Sequence, residues 1–195
     1  MIDVEQCHNK SDAELVELSL QQSDYFACLV GRYEAKLTNY IRKITNLDAE
    51  DIADVLQDVF IKVYKNLNSF DAELKFSSWI YRITHNQVIS NYRKNIARPQ
   101  TVPIEVDDTV VHNLASDLDT SQAVDEDFLR QNIEAILEKL DIKYREVLVL
   151  KFLEDKDYKE ISDILKKPAG TVGTLINRAK AKFRKELEAS KLNLK

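Results

Sequence analysis

Along residues 168–187 the side chains equipped for chemistry are hydrogen-bonding and cationic rather than nucleophilic: Thr171, Thr174, Asn177, Arg178, Lys180 and Lys185. A guanidinium can address the O6 and N7 of guanine together, a carboxamide the N6 and N7 of adenine, and an ammonium can neutralise a phosphate. At about 100° per residue, Val172, Leu175, Ile176, Ala179 and Phe183 form one apolar stripe. Gly170, Thr174, Asn177, Arg178, Ala181 and Lys185 form the opposite face. A small, polar, cationic outer face suits a helix lying in a DNA major groove. A short helix predicted over 157–165 precedes it, Lys166-Lys167 leaves space only for a tight turn, and Pro168 fits a first helical turn. The alternative is a solvated basic helix. The preceding helix and the tight turn favour a helix-turn-helix.

Two further stretches could meet a macromolecule. The helix predicted over 52–67 buries Ile52, Leu56, Val59, Phe60, Val63 and Leu67, and turns Asp51, Asp54, Asp58, Ile61, Lys62 and Lys65 outward. An Ile among exposed carboxylates suits a docking face, which needs some apolar burial at its centre; a solvated face with one stray Ile is the alternative. From 75 to 103 there are five Lys/Arg and no acidic residue, interleaved with aromatics. Rings stack on unpaired bases while cations hold the strand's phosphates, although most of these aromatics, Trp79 among them, also fit a core. Enzymatic chemistry has little support. Asp51, Asp54 and Asp58 have no His beside them, and there is no phosphate-cradling Gly-rich loop or nucleophile motif. No catalytic residue, cofactor or metal is expected.

The elements that must position these groups are helices. Three Gly and three Pro among 195 residues, with frequent charged residues, argue for helix over sheet. Helices are predicted over 12–21, 24–44, 52–67, 76–94, 122–140, 143–152, 157–165 and 168–187. Within 76–94, Trp79, Ile83 and Asn86 lie on one side and Tyr81, Val88 and Tyr92 on the other, so both sides cannot face one small core. Residues 98–121, with Pro99, Pro103, several Asp and an incidental His112, show no sustained period. Charge divides the chain the same way. Residues 1–98 carry 12 Lys/Arg and 14 Asp/Glu, residues 99–128 none and eight, and residues 129–195 sixteen and eleven. There is no run of about 18 apolar residues and no signal-peptide pattern at the start, so a cytoplasmic protein is expected. Cys7 and Cys28 are then expected to be free thiols; with His8 they lack the spaced second pair of a zinc site.

Residues 140–182 resemble region 4 of bacterial sigma factors of the extracytoplasmic-function (ECF) type. The residues that carry the resemblance are Tyr144-Arg145-Glu146-Val147-Leu148, Tyr158-Lys159-Glu160-Ile161, Gly170-Thr171-Val172 and Arg178-Ala179-Lys180. Ala53-Asp54-Val55-Leu56-Gln57-Asp58-Val59-Phe60, Phe70-Asp71, Phe76-Ser77-Ser78-Trp79-Ile80-Tyr81-Arg82-Ile83, Asn86 and Arg93-Lys94 resemble region 2. Ser90 departs from the usual pattern, as do Lys166-Lys167 where a Gly-containing turn is common, and Gly173 and Leu175 where basic residues are common. The last two bring the family's −35 preference into question for this chain.

The resemblance implies an all-α protein of two small helical domains, 1–98 and 122–195, joined by an acidic flexible linker, 99–121. It implies a factor that binds core RNA polymerase and directs it to promoters, and an anti-sigma protein as a further partner. Asp51, Asp54, Gln57, Asp58, Ile61 and Lys62 would meet the polymerase. Phe70, Asp71, Ser77, Trp79, Arg82, Asn86, Arg93 and Lys94 would meet the −10 element. Thr171, Thr174, Asn177, Arg178, Lys180 and Lys185 would meet the −35 element. A free-standing helix-turn-helix regulator is the competing reading; it needs high DNA affinity by itself, usually as a dimer on two half-sites.

Overall fold

The computed structural model describes residues 7–94, 113–114 and 126–192, and every regular element among them is helical. They fall into two compact units, the bulk of the first being 7–42 and 46–94 and that of the second 126–162 and 166–192. The reading of 99–121 as a linker, and with it His112, lies outside the described residues apart from Asn113 and Leu114.

The first unit holds α1 (Asp12–Gln21), α2 (Phe26–Ile44), α3 (Ala49–Lys65) and α4 (Phe76–Lys94). Ser11 and Glu14 cap α1 reciprocally, the Ser11 hydroxyl accepting from the Glu14 amide (3.2 Å) and the Glu14 carboxylate from the Ser11 amide (2.7 Å). The Ser11 amide, and then the Ser11 hydroxyl donating to the same carboxylate, hold the Glu14 carboxyl below its ordinary range. α3 begins before its apolar pattern does, because the Asp48 carboxylate caps the Asp51 amide at 2.8 Å. Leu29, Tyr33, Leu37, Tyr40, Ile41 and Ile44 of α2 recur at helical spacing and are buried, as are Ile52, Val55, Leu56, Val59 and Val63 of α3.

The two apolar sides of α4 are both covered, by different neighbours. Tyr81 packs on Tyr40 of α2 with ring centroids 5.1 Å apart. Trp79 packs on Phe70 (5.3 Å), which belongs to the preceding loop, and on Phe76 (5.6 Å). Phe76 in turn packs on Tyr33 of α2, ring centroids 5.5 Å apart.

The cysteines correct an expectation. Cys7 and Cys28 form a disulfide, with Cα atoms 5.5 Å apart. Arg32 brings the turn before α1 to that position: its guanidinium donates to the carbonyls of Cys7 (2.9 Å) and Lys10 (2.8 Å) and to the Asp12 carboxylate (2.6 Å). The Tyr33 hydroxyl donates to the same carboxylate. Sequence spacing could not show that the turn folds back on α2.

The second unit holds α5 (Glu126–Glu138), α6 (Ile142–Leu148), α7 (Tyr158–Leu165) and α8 (Ala169–Leu192). α8 packs against α5 and α6. Arg145 is buried at their base, donating to the carbonyls of Leu137 (2.9 Å) and Glu138 (2.6 Å) and so closing the end of α5. The helix predicted over 143–152 widens after α6. Over Val149–Leu153 the Glu154 amide reaches the Val149 carbonyl at 2.9 Å, an i→i+5 bond.

Candidate nucleic-acid interface

Three side-chain sets emerge from these two units. The first is on α8. Asp157 and Glu160 cap α7 reciprocally, and α7 ends at Lys166, whose backbone is left-handed (φ 52°, ψ 45°). The Ser162 hydroxyl donates to the Lys167 carbonyl (2.6 Å) and the Lys167 amide to the Ser162 carbonyl (3.2 Å), fixing the turn. The Pro168 carbonyl accepts the first bonds of α8, from Thr171 (2.8 Å) and Val172 (3.0 Å). Val172, Ile176, Ala179, Phe183 and Leu187 are buried along one stripe; Leu175, expected in it, is half-buried at its edge. Gly170, Thr171, Thr174, Asn177, Arg178, Ala181 and Lys185 are exposed on the other side. The predicted outer face is therefore present, with two refinements. The Thr174 hydroxyl donates to the Gly170 carbonyl (2.9 Å), so it offers a methyl group and acceptor lone pairs rather than a free proton. Lys180 is half-buried and already engaged.

The second set spans the 66–75 loop and α4. Leu67 is buried and anchors the loop. The exposed Asp71 carboxylate accepts from the Glu73 amide at 3.0 Å, an Asx turn. Phe70 is half-buried, its ring edge-on to Phe76 at 5.4 Å. Trp79, expected among the −10 contacts but also fitting a core, is only 7% exposed, with Phe70 of the loop packed on it. Ser77 and Arg82 are half-exposed and Asn86 is exposed. The side chains of Arg93 and Lys94 lie outside the described ones.

The third set is the outer face of α3. Asp54, Gln57, Asp58, Ile61 and Lys62 are exposed and Asp51 half-exposed. Ile61 is 44% exposed, and beside it Tyr64 is 49% exposed. Phe26 of α2 lies against Tyr64 (5.1 Å) and Phe60 (6.5 Å), edge-on to both. The apolar part of the face is thus wider than one Ile. Sequence reasoning missed Tyr64 and also Gln87, whose amide bonds to Asp58. The available signal for Gln87 was a polar residue at helical spacing among Ile80, Thr84 and Val88 on the buried side of α4. Among the described residues no group of three or more His, Cys, Asp or Glu could hold a metal ion, and no helix is long and apolar enough to cross a membrane.

Comparison with known proteins matches the two units to two family models. Residues 29–97 match the family model "Sigma-70 region 2" and residues 130–183 match "Sigma-70, region 4". The chain is 37% identical over 172 residues to the ECF RNA polymerase sigma factor SigW of Bacillus subtilis (strain 168), covering 84% of this chain and 89% of that one. It is 31% identical over 182 residues to the ECF RNA polymerase sigma-E factor of Escherichia coli (strain K12), covering 87% and 91%. Among solved structures it resembles CnrH in complex with the cytosolic domain of CnrY, with a TM-score of 0.68 at 25% identity over 92% of this chain and 99% of that one. The sigma factor RpoE of Bartonella quintana, solved with the anti-sigma factor NepR, shares the fold, with a TM-score of 0.62 at 18% identity over 84% and 96%. Both the region that carries the loop and α3–α4 and the region that carries the helix-turn-helix are accounted for. The chain belongs to the sigma-70 family, as an ECF-type sigma factor that directs transcription initiation.

Proposed function

We propose that the three side-chain sets divide the work of initiation. The outer face of α3 docks on core RNA polymerase through Asp51, Asp54, Gln57, Asp58, Ile61 and Lys62. The 66–75 loop, with Phe70 and Asp71, takes up an unstacked −10 base. Ser77, Arg82, Asn86, Arg93 and Lys94 hold the displaced strand. α8 lies in the major groove of the −35 element, Asn177 and Arg178 reading bases while Thr171 and Lys185 approach phosphates. The protein works in the cytoplasm as a binding subunit with no catalytic residue or cofactor of its own. Its first domain is read as 1–98 and its second as 122–195, joined by the acidic tether 99–121. CnrH, seen with the cytosolic domain of CnrY bound, supports a further partner, an anti-sigma protein that occupies the factor when it is idle.

The observation that carries this reading is the pairing of exposed Ile61 and Tyr64 with acids and a lysine on one helix face. A docking face needs some apolar burial at its centre, and these two side chains supply it. Ile61→Asp and Asp54→Lys should each weaken core polymerase binding by about tenfold or more, as loss of a central contact does. Their melting temperatures should barely move, since surface changes shift stability by about 0.5 kcal/mol or less. Unfolding by either substitution would show that the face belongs to the core.

A further inference from the structure

Gln87 has no place in the contacts assigned so far, yet its bonding is specific. It lies on α4, is 5% exposed, and sits among the buried side chains Ile80, Thr84 and Val88. A carboxamide in such a place needs partners for both its ends, or its desolvation goes uncompensated. Both partners come from α3. The Gln87 Nε2 group donates to Asp58 Oδ2 at 2.8 Å, and Gln87 Oε1 accepts from the Lys62 ammonium. Asp58 and Lys62 stand four residues apart, so their side chains rise side by side on the exposed face. One buried amide therefore holds an acid and a base one helical turn apart, both at the surface read as the polymerase contact.

A Leu or Met would fill the same volume at lower desolvation cost. What the amide adds is order in its two partners. Lys loses more rotamer freedom on ordering than most residues, and an interface forms more tightly when its charged side chains are already held in place. We propose that Gln87 is a positioning residue for polymerase binding: it presets Asp58 and Lys62 on α3 without itself touching the polymerase. This rests on the reading of α3 as the polymerase face. It also ties that face to α4, where the neighbouring Asn86 is read as facing the displaced strand.

The test is a set of core polymerase affinities, with melting temperatures measured on the same proteins. Gln87→Met keeps length and volume and removes both bonds. It should weaken core binding about threefold to tenfold, the size that side-chain ordering at an interface commands, and the cost of Asp58→Ala should shrink in its presence. A purely structural tie would lower the melting temperature and leave the two affinity effects independent. If Gln87→Met proves too unstable to assay, Gln87→Glu replaces it. That variant keeps the acceptor for Lys62 and turns an oxygen toward Asp58. It should weaken binding in the wild-type background and add nothing in the Asp58→Asn background, where the introduced carboxamide supplies the missing donor. Unchanged affinity with Gln87→Met, or independent losses in either pair, overturns the proposal while Asp58→Lys still weakens binding. Should Asp58→Lys also leave affinity unchanged, the polymerase reading of α3 falls, and the positioning role falls with it.

Discussion

Arg178 and Lys185 are both cationic and both exposed on α8, but their chemistry separates them. A guanidinium presents a planar fork that matches two acceptors on one guanine, whereas an ammonium acts as a point charge toward phosphate. Arg178→Ala should therefore relax preference at one −35 position, by about 1–3 kcal/mol of discrimination. Lys185→Ala should weaken every promoter about equally and lower the salt slope by roughly one unit. A base-by-base −35 substitution series against both variants measures this. Uniform loss with Arg178→Ala would make it a backbone clamp. Gly173 and Leu175 bring no charge to the helix, so in the proposed reading base contacts would rest on Asn177 and Arg178. The engaged hydroxyl of Thr174 narrows them further.

At the scale of an element, the turn between α7 and α8 carries strain that the sequence does not relieve. Lys166 occupies the left-handed region (φ 52°), where a β-carbon costs on the order of 1 kcal/mol and glycine costs little. Gly173 is the reverse case. It stands inside α8, and a β-carbon there would meet Tyr158 Cε1 at 3.6 Å, an ordinary contact. Lys166→Gly and Gly173→Ala should each raise stability by about 0.5–1 kcal/mol, for opposite backbone reasons. Urea unfolding of the two variants checks both signs, and destabilisation by Gly173→Ala would mean that Tyr158 cannot yield. The N-terminal turn gives a second case. Its disulfide closes a sequence separation of 21 residues, worth about 3 kcal/mol by loop-closure entropy. Reduction should lower the unfolding midpoint accordingly while Arg32 and Asp12 keep the turn in place; equal midpoints with and without dithiothreitol would show that the bond adds nothing.

At the scale of the molecule, charge is distributed against free DNA binding. The formal net charge is −5, with eight Asp/Glu and no Lys/Arg over residues 99–128. Phosphate attraction is therefore confined to the basic helix and the region around α4, and acidic segments oppose it elsewhere. The chain alone should bind promoter duplex weakly, and together with core polymerase it should bind and open it. A gel-shift titration with and without core enzyme measures the difference. Nanomolar, sequence-specific binding by the isolated chain would favour a free-standing regulator.

The helices and the outward face of α8 were written locally in the chain. Both follow from local periodicity: Val172, Ile176, Ala179 and Phe183 had to share a stripe, and Asn177 and Arg178 then had to oppose it. The α3 face was legible for the same reason, as were the two motif blocks that led to the family. What depends on segments far apart in the chain was not legible. A core place for Trp79 was already open to the sequence, but that Phe70 of the preceding loop would pack on it was not. Cys7 met Cys28 because Arg32 draws the N-terminal turn onto α2. Gln87 acquired its partners only when α4 lay against α3. Helical period fixes which side chains share a face, but tertiary packing alone decides which residues from distant segments come to share one hydrogen bond.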